Sequence, residues 1–118
     1  MELAGFAGEK AAALPAVVMG DFNTAPGTLP MLFLKESRKW IDVYEAAHPG
    51  EAGLTWNYNN PYAEAERDKM AERRIDYIFV TEPSGPFAKT RSAKVIFDKS
   101  EGGIWPSDHF GVLAEFGN

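Results

Sequence analysis

Three short polar segments contain the residues best suited to chemistry, and the first of them is Gly-Asp-Phe-Asn at residues 20–23. It directly follows the apolar run at residues 16–19, which is typical of a strand. Asp21 and Asn23 are two residues apart, so their side chains project the same way from an extended backbone. A carboxylate beside an amide can orient a water and hold a phosphate oxygen or a hard cation. A simple Gly-Asp turn with an Asn cap is the alternative.

The second segment is the predicted strand at residues 74–80, which places Asp76 among β-branched and aromatic neighbours. A carboxylate with apolar neighbours on both faces is costly to bury without a partner, which favours a partnered Asp76. Two alternatives are a solvated position on an edge strand and a structural ion pair with Arg73 or Arg74.

The third segment is Ser-Asp-His at residues 107–109, just before the last predicted strand. An imidazole can act as acid or base near neutral pH, and a carboxylate on its other nitrogen fixes its tautomer. The adjacent Asp108 points elsewhere, so Asp76 is the natural partner of His109. An ordinary polar loop is the alternative here. The other histidine, His48, is interpreted as a structural residue at a helix end.

The elements that must position these residues are predicted from hydrophobic periodicity and turn formers. An Ala-rich helix should cover residues 2–14 and end at Pro15. The run at residues 16–19 is expected to be a strand buried on both faces. Thr28 and Asp42 are predicted to cap two short helices. Further strands are expected at residues 74–80, 94–97 and 111–116.

Composition sets the broad class. The chain has 118 residues, enough for one domain, and is 45% hydrophobic with a net charge of −5 and no cysteine. The acidic balance argues against an independent nucleic-acid-binding module, because such modules present basic surfaces to phosphates. No run reaches the roughly 18 apolar residues of a membrane helix, and the N-terminus lacks a signal-peptide pattern. We therefore expect a protein without a membrane span and with a cytoplasmic location.

Taken together and in this order, the three segments resemble the last three motifs of the endonuclease/exonuclease/phosphatase superfamily, whose fold is deoxyribonuclease I-like. The resemblance runs from about Pro15 to Phe116, nearly the whole chain. It implies an α/β fold, specifically the C-terminal half of a four-layer α/β/β/α sandwich. The sheet is expected to be mostly antiparallel or mixed, with helices on one face. Residues 1–118 would then form a single partial domain.

The resemblance also implies roles for individual residues. Asp21 would contact the attacking water or the metal site, and Asn23 would hydrogen-bond the scissile phosphate. Asp76 would hold the imidazole of His109, which would act as general acid/base or stabilise the transition state. Asp108 would, with Asp21, help to ligate or orient a divalent cation, Mg²⁺ or Mn²⁺. Oxygen ligands suit either cation.

The implied first half of the domain would supply further catalytic groups, above all a metal-binding Glu, that this chain lacks. A sheet that normally packs on another exposes an apolar face when alone. We therefore expect a fragment of a longer protein, a homodimer through the sheet face, or a partner of a separately encoded N-terminal half. Self-association of the isolated chain is expected.

The predicted function is metal-dependent hydrolysis of a phosphoester, with the isolated chain incomplete and weakly active or inactive. The substrate class covers nucleic acids, phospholipids and small phosphodiesters. The acidic charge and the segment Leu-Thr-Trp at residues 54–56 favour a sphingomyelinase-like or small-substrate phosphodiesterase over a nuclease. The alternative is a non-catalytic fragment or interaction module that retains the fold.

Overall fold

The computed structural model describes residues 2–11, 14–82 and 85–117. The helices are α1 (Glu2–Ala11), α2 (Leu29–Leu32), which continues as a π-helical turn at Phe33–Ser37, α3 (Val43–Ala47) and α4 (Pro61–Glu64). The strands are β1 (Val17–Asp21), β2 (Ile41–Asp42), β3 (Asp76–Val80), β4 (Thr90–Ile96) and β5 (Gly111–Phe116), and a 3₁₀ turn lies at Gly85–Phe87. Helix and antiparallel sheet thus alternate along the chain, which confirms the predicted α/β class.

A three-stranded antiparallel sheet carries the first two polar segments. Its strand order is β1-β3-β2, so β3 is the central strand. β1 and β3 pair from Val17 opposite Val80 to Asp21 opposite Asp76. The β-branched and aromatic residues of β3 suit a pleated, buried surface, and four of its five positions are buried. This register brings the end of β1 beside the start of β3.

The two faces of this sheet pack against different partners, because successive strand residues point to opposite sides. Phe79 and Val18 belong to a cluster with residues of α1 and the α2 region, including Ala4 and Leu34. Ile78 and Val80 belong to a second cluster with α3 and with the hairpin of β4 and β5. Helices therefore cover one face of the sheet, and the hairpin and α3 cover the other.

β4 and β5 form a separate two-stranded antiparallel sheet, with Val95 opposite Val112. The side chains of Ala93 and Val95 pack toward the three-stranded sheet through the second cluster. The polar loop that leads into β5 is thereby held next to the end of β1 and the start of β3. This arrangement positions the third polar segment.

The expectation that residues 16–19 form a strand buried on both faces is wrong. Val17 and Val18 are half-buried, but Met19 is 70% exposed. The reason lies in the sheet order, since β1 is an edge strand that pairs only with β3. The cover over its Val17 face does not extend along the strand to Met19. A continuous apolar run therefore marks the strand correctly and overstates its burial.

The predicted helix caps differ in mechanism. Asp42 caps α3, and its carboxylate accepts a hydrogen bond from the Glu45 amide at 3.4 Å. Thr28 stands at the N-cap of α2 but its hydroxyl donates to the carbonyl of Ala25 at 2.8 Å, so it closes the preceding turn. His48 ends α3 as predicted, and its ring Nε2 contacts the Ala93 carbonyl of β4. Of the helix predicted at residues 2–14, positions 12 and 13 lie outside the described residues.

None of the helices in the described ranges combines the length and the apolar character needed to cross a membrane.

Candidate active site

Two carboxylates face each other at one end of the three-stranded sheet. Asp21 ends β1, Asp76 begins β3, and the two residues are direct cross-strand partners. Like charges in this arrangement repel each other unless a cation or a proton lies between them. The side chain of Asp21 is 47% exposed and that of Asp76 is 20% exposed, so one carboxylate reaches solvent and the other lies deeper.

His109 lies between the two carboxylates. Its Nδ1 is 2.9 Å from Oδ2 of Asp76, and its Nε2 is 4.0 Å from Oδ2 of Asp21. The first distance is a hydrogen bond, whereas the second is too long for one. The amide of His109 donates to the hydroxyl of Ser107 at 3.1 Å, and its ring meets Trp56 edge-on with centroids 5.3 Å apart. The imidazole is thus held on several sides.

The electrostatics of this cluster favour a protonated ring. Burial alone lowers the pKa of His109, but the hydrogen bond and charge of Asp76 raise it, as do the charges of Asp21 and Asp108. The net result is a pKa above the ordinary value of 6.5. With Nδ1 facing Asp76, a proton on the ring can be offered through Nε2 toward Asp21.

Asn23 lies at the exposed side of the cluster. Its backbone amide donates to Oδ1 of Asp21 at 2.7 Å. Its backbone has a φ of +50°, a left-handed conformation that Asn tolerates better than most residues. Its side-chain oxygen accepts a hydrogen bond from the guanidinium of Arg73 at 3.1 Å. The Asp21 carboxylate and the Asn23 backbone amide thus form an Asx turn, which holds Asn23 next to Asp21. The predicted alternative was a Gly-Asp turn capped by Asn23, whereas here the Asp21 side chain is the acceptor.

The alternatives considered for Asp76 can now be compared with the geometry. β3 is the central strand, so Asp76 is not on an edge. Arg74 pairs with Asp42, and Arg73 contacts Asn23. Among the described ion pairs, the partner of Asp76 is His109.

Thr55, from the Leu-Thr-Trp segment at residues 54–56, supports the site from below. It is fully buried, and its hydroxyl oxygen accepts hydrogen bonds from the amides of Ile75 at 3.1 Å and Asp76 at 3.3 Å. Its carbonyl accepts a bond from the amide of Phe110 at 2.7 Å. Thr55 therefore ties the start of β3 to the residue after His109. No sequence signal distinguishes this role from an exposed threonine, because both partners are distant along the chain.

Among the described residues, one group of three side chains could together hold a metal ion. One ligand atom each from Asp21, Asp76 and His109 lie within 4.8 Å of one another. Asp108, predicted with Asp21 as a cation ligand, is exposed and is absent from this group, and its carboxylate accepts a bond from the Ser107 hydroxyl at 3.3 Å. Carboxylate oxygens suit hard divalent cations, and an imidazole fits Mn²⁺ better than Mg²⁺.

Comparison with known proteins gives two findings. The profile of the Endonuclease/Exonuclease/phosphatase family matches residues 2–109. Among solved structures, the chain is similar to an endonuclease/exonuclease/phosphatase family protein from Leptotrichia buccalis C-1013-b, with a TM-score of 0.64 and 26% sequence identity. The match covers 98% of this chain and 40% of that one. A search of curated proteins finds no match.

Proposed function

The chain belongs to the endonuclease/exonuclease/phosphatase family, a family of phosphoesterases and nucleases, and on that basis we propose that its polar cluster is the site of a metal-dependent phosphoester hydrolase. The observation that carries the proposal is the position of His109 between two carboxylates. Its Nδ1 is bonded to Asp76, and its Nε2 faces Asp21 across 4.0 Å. A water or a phosphate oxygen that lies to one side of these two atoms can contact both of them.

The proposed chemistry is attack of a water on the phosphorus of a phosphoester. Asp21 accepts a hydrogen bond from that water and orients it. Asp76 fixes the ring of His109, whose Nε2 gives its proton to the ester oxygen of the leaving alcohol as that P–O bond breaks. Asp21 takes up the proton that the water loses as the new P–O bond forms. The hydrogen bond and charge of Asp76 raise the pKa of His109 against the opposing effect of burial, which supports a proton-donating role. Asn23 donates from its side-chain amide to a second phosphate oxygen.

A divalent cation, Mg²⁺ or Mn²⁺, is part of the proposal. When bound, it would neutralise phosphate charge and lower the pKa of a coordinated water. Asp21 is the most suitable ligand, because its carboxylate is half exposed at the end of β1. Asp108, the predicted second ligand, is adjacent to His109 in the loop. It would need a different side-chain rotamer to ligate the cation together with Asp21. The oxygen of Asp76 is already bonded to His109, which favours Asp21 over Asp76.

The substrate is a phosphoester, and the net charge of −5 supports a small phosphodiester or a phospholipid headgroup over a long nucleic acid. We further propose that a complementary N-terminal half, or a second copy of the chain, covers the exposed side of β1 at Met19. An edge strand with an exposed apolar side chain is suited to either partner.

The test combines cation binding with turnover. Mn²⁺ should broaden the NMR signals of the residues near Asp21 and His109, and Asp21→Asn should weaken that binding. With Mg²⁺ present, hydrolysis of bis(4-nitrophenyl) phosphate by the isolated chain should be slow and should disappear in His109→Ala. A chain that binds neither cation, alone or with a complementary half, would contradict the proposal.

The competing proposal is a non-catalytic module that retains the fold. The chain spans 40% of the length of the solved relative, so that protein contains residues with no counterpart in this segment. Cation binding separates the two proposals. A module without chemistry has no use for a cation, so Mn²⁺ would then leave the signals of Asp21 and His109 unchanged.

A further inference from the structure

Arg73 lies next to the proposed active site and has no role in the chemistry described above. Its guanidinium Nη2 donates to the side-chain oxygen of Asn23 at 3.1 Å. We infer that Arg73 is a positioning residue for the phosphoester, acting through Asn23. This inference rests on the proposed function, because it assigns Arg73 to the phosphate side of that site.

The contact with Arg73 fixes the orientation of the Asn23 side-chain amide. A guanidinium has only donors, so the atom of Asn23 that faces Arg73 must be the oxygen. The NH₂ group of Asn23 is therefore directed away from Arg73 and keeps both of its donors. If Arg73 were absent, the amide could rotate and present its oxygen, which repels a phosphate, in place of its NH₂ group.

The charge of Arg73 is not paired directly with a carboxylate among the described residues. The structure shows no ion pair for it within 4.0 Å among the described residues. Its neighbour Arg74 differs sharply, because both of its terminal nitrogens bond to the buried carboxylate of Asp42. Arg73 therefore has no direct carboxylate partner among the described residues, and through Asn23 it lies beside a cluster that contains Asp21 and Asp76. A cation in that place offsets the repulsion between these carboxylates and an anionic substrate.

A backbone bridge to Trp56 holds Arg73 in place. Its backbone forms an antiparallel bridge with Trp56, with both N–H···O distances at 3.0 Å. Its Nε is shielded from solvent and has no partner among the described residues. The indole Nε1 of Trp56 is likewise shielded and without a described partner. Because the bridge also fixes Trp56, which contacts the ring of His109, Arg73 and the imidazole share one support.

These observations form one connected path. Arg73 donates to the side-chain oxygen of Asn23, and the backbone amide of Asn23 donates to the carboxylate of Asp21. The same carboxylate faces Nε2 of His109. The path connects the guanidinium of Arg73 to His109, the proposed acid. Because Arg73 contacts Asn23 directly and His109 only through two further residues, its removal should affect phosphoester binding more than the protonation of His109.

The experiment uses the full 118-residue chain and dimethyl phosphate, a phosphodiester that the site would bind without cleaving rapidly. Binding is followed by NMR through the backbone amide signals of Asp21 and His109, which every variant retains, at a fixed Mg²⁺ concentration. Arg73→Gln should raise the dissociation constant roughly tenfold, as expected for loss of a charged hydrogen-bond donor. Arg73→Lys should recover part of the affinity, because the charge and one donor remain. Arg67→Gln, at an exposed arginine in the same region of the sequence, is the matched control and should bind as the wild type does.

A double-mutant cycle with Asn23→Ser tests whether Arg73 acts through Asn23. If it does, Arg73→Gln adds little once Asn23 has been replaced. Additive effects, or unchanged affinity in Arg73→Gln while Asn23→Ser weakens binding, would overturn the inference and leave the proposed function intact. Absence of dimethyl phosphate binding in the wild-type chain would overturn both. Arg73→Lys also keeps the test informative if Arg73→Gln folds poorly.

Discussion

The guanidinium of Arg74 donates two hydrogen bonds to the carboxylate of Asp42, at 3.0 and 2.7 Å, and both side chains are buried. The pair connects the residues just before β3 to the end of β2 and the start of α3. The rings of Tyr44 and Tyr77 lie against the same guanidinium, at 5.5 and 4.8 Å from their centroids. The pair therefore holds the start of β3, where Asp76 is located, against the body of the sheet.

Loss of one partner from this buried pair should be strongly destabilising. Arg74→Met leaves the Asp42 carboxylate buried without its counter-charge, and we expect the free energy of unfolding to fall by about 3–5 kcal/mol. Urea denaturation followed by circular dichroism measures the change. Arg67→Met is the control, since it breaks an exposed pair with Glu64 and should cost about 1 kcal/mol or less. Equal losses in the two variants would show that the buried pair is not a significant support.

The protonation of His109 should depend on Asp76. In metal-free buffer, an NMR titration of the ring should show a pKa above 6.5 in the wild type. Asp76→Asn removes both the charged acceptor and its field, so the pKa of His109 should decrease. Asp68→Asn, at an exposed position, should leave it unchanged. A midpoint that does not move in Asp76→Asn would contradict the assigned pair.

The same coupling predicts a pH dependence of stability. Because the folded-state pKa of His109 is raised, its protonation stabilises the fold fully at pH values below the unfolded pKa near 6.5. That contribution is lost as the pH rises through the folded-state pKa. The difference in unfolding free energy between the wild type and Asp76→Asn should therefore shrink over that interval. Urea denaturation across a pH series would measure it, and a difference that grows with pH would contradict this sign.

The buried hydroxyl of Thr55 should be required for stability. Thr55→Val keeps the shape but leaves the amides of Ile75 and Asp76 without their acceptor, at a cost of about 1–3 kcal/mol. Thr90→Val, at a half-buried position on β4, makes the same chemical change and should alter stability by about 0.5 kcal/mol or less. Thermal and urea unfolding of both variants provide the comparison. A neutral Thr55→Val would mean that water or another group satisfies the two amides.

Self-association should depend on the exposed side of β1. Met19 is 70% exposed on an edge strand, and Met19→Lys should shift the chain toward monomer, because a charge on an edge strand opposes pairing. Leu29→Lys, at an 82% exposed residue of α2, is the control and should leave the association unchanged. Sedimentation velocity distinguishes the species. A wild-type chain that sediments as a clean monomer at high micromolar concentration would contradict the expectation.

The order of motifs along the chain was sufficient to predict the family and the α/β class, and both are confirmed. This succeeded because a turn-forming Gly-Asp-Phe-Asn, an Asp inside an apolar strand and a Ser-Asp-His are local patterns that can be recognised without coordinates. The chemical argument for a partner of Asp76 likewise needed only the cost of burying a charge. The catalytic and metal-binding roles of Asp21, Asn23, Asp76, His109 and Asp108 stay predictions.

Contacts between distant segments could not be obtained in this way. Nothing local to Arg73 and Arg74 reveals that one arginine is neutralised inside the fold while the other reaches Asn23, because the difference depends on which strand lies beside each side chain. The burial of Thr55 and the exposure of Met19 have the same origin. Residue type and spacing establish which chemistry a chain can support, whereas strand order and the packing of its layers decide which groups meet and which remain uncovered.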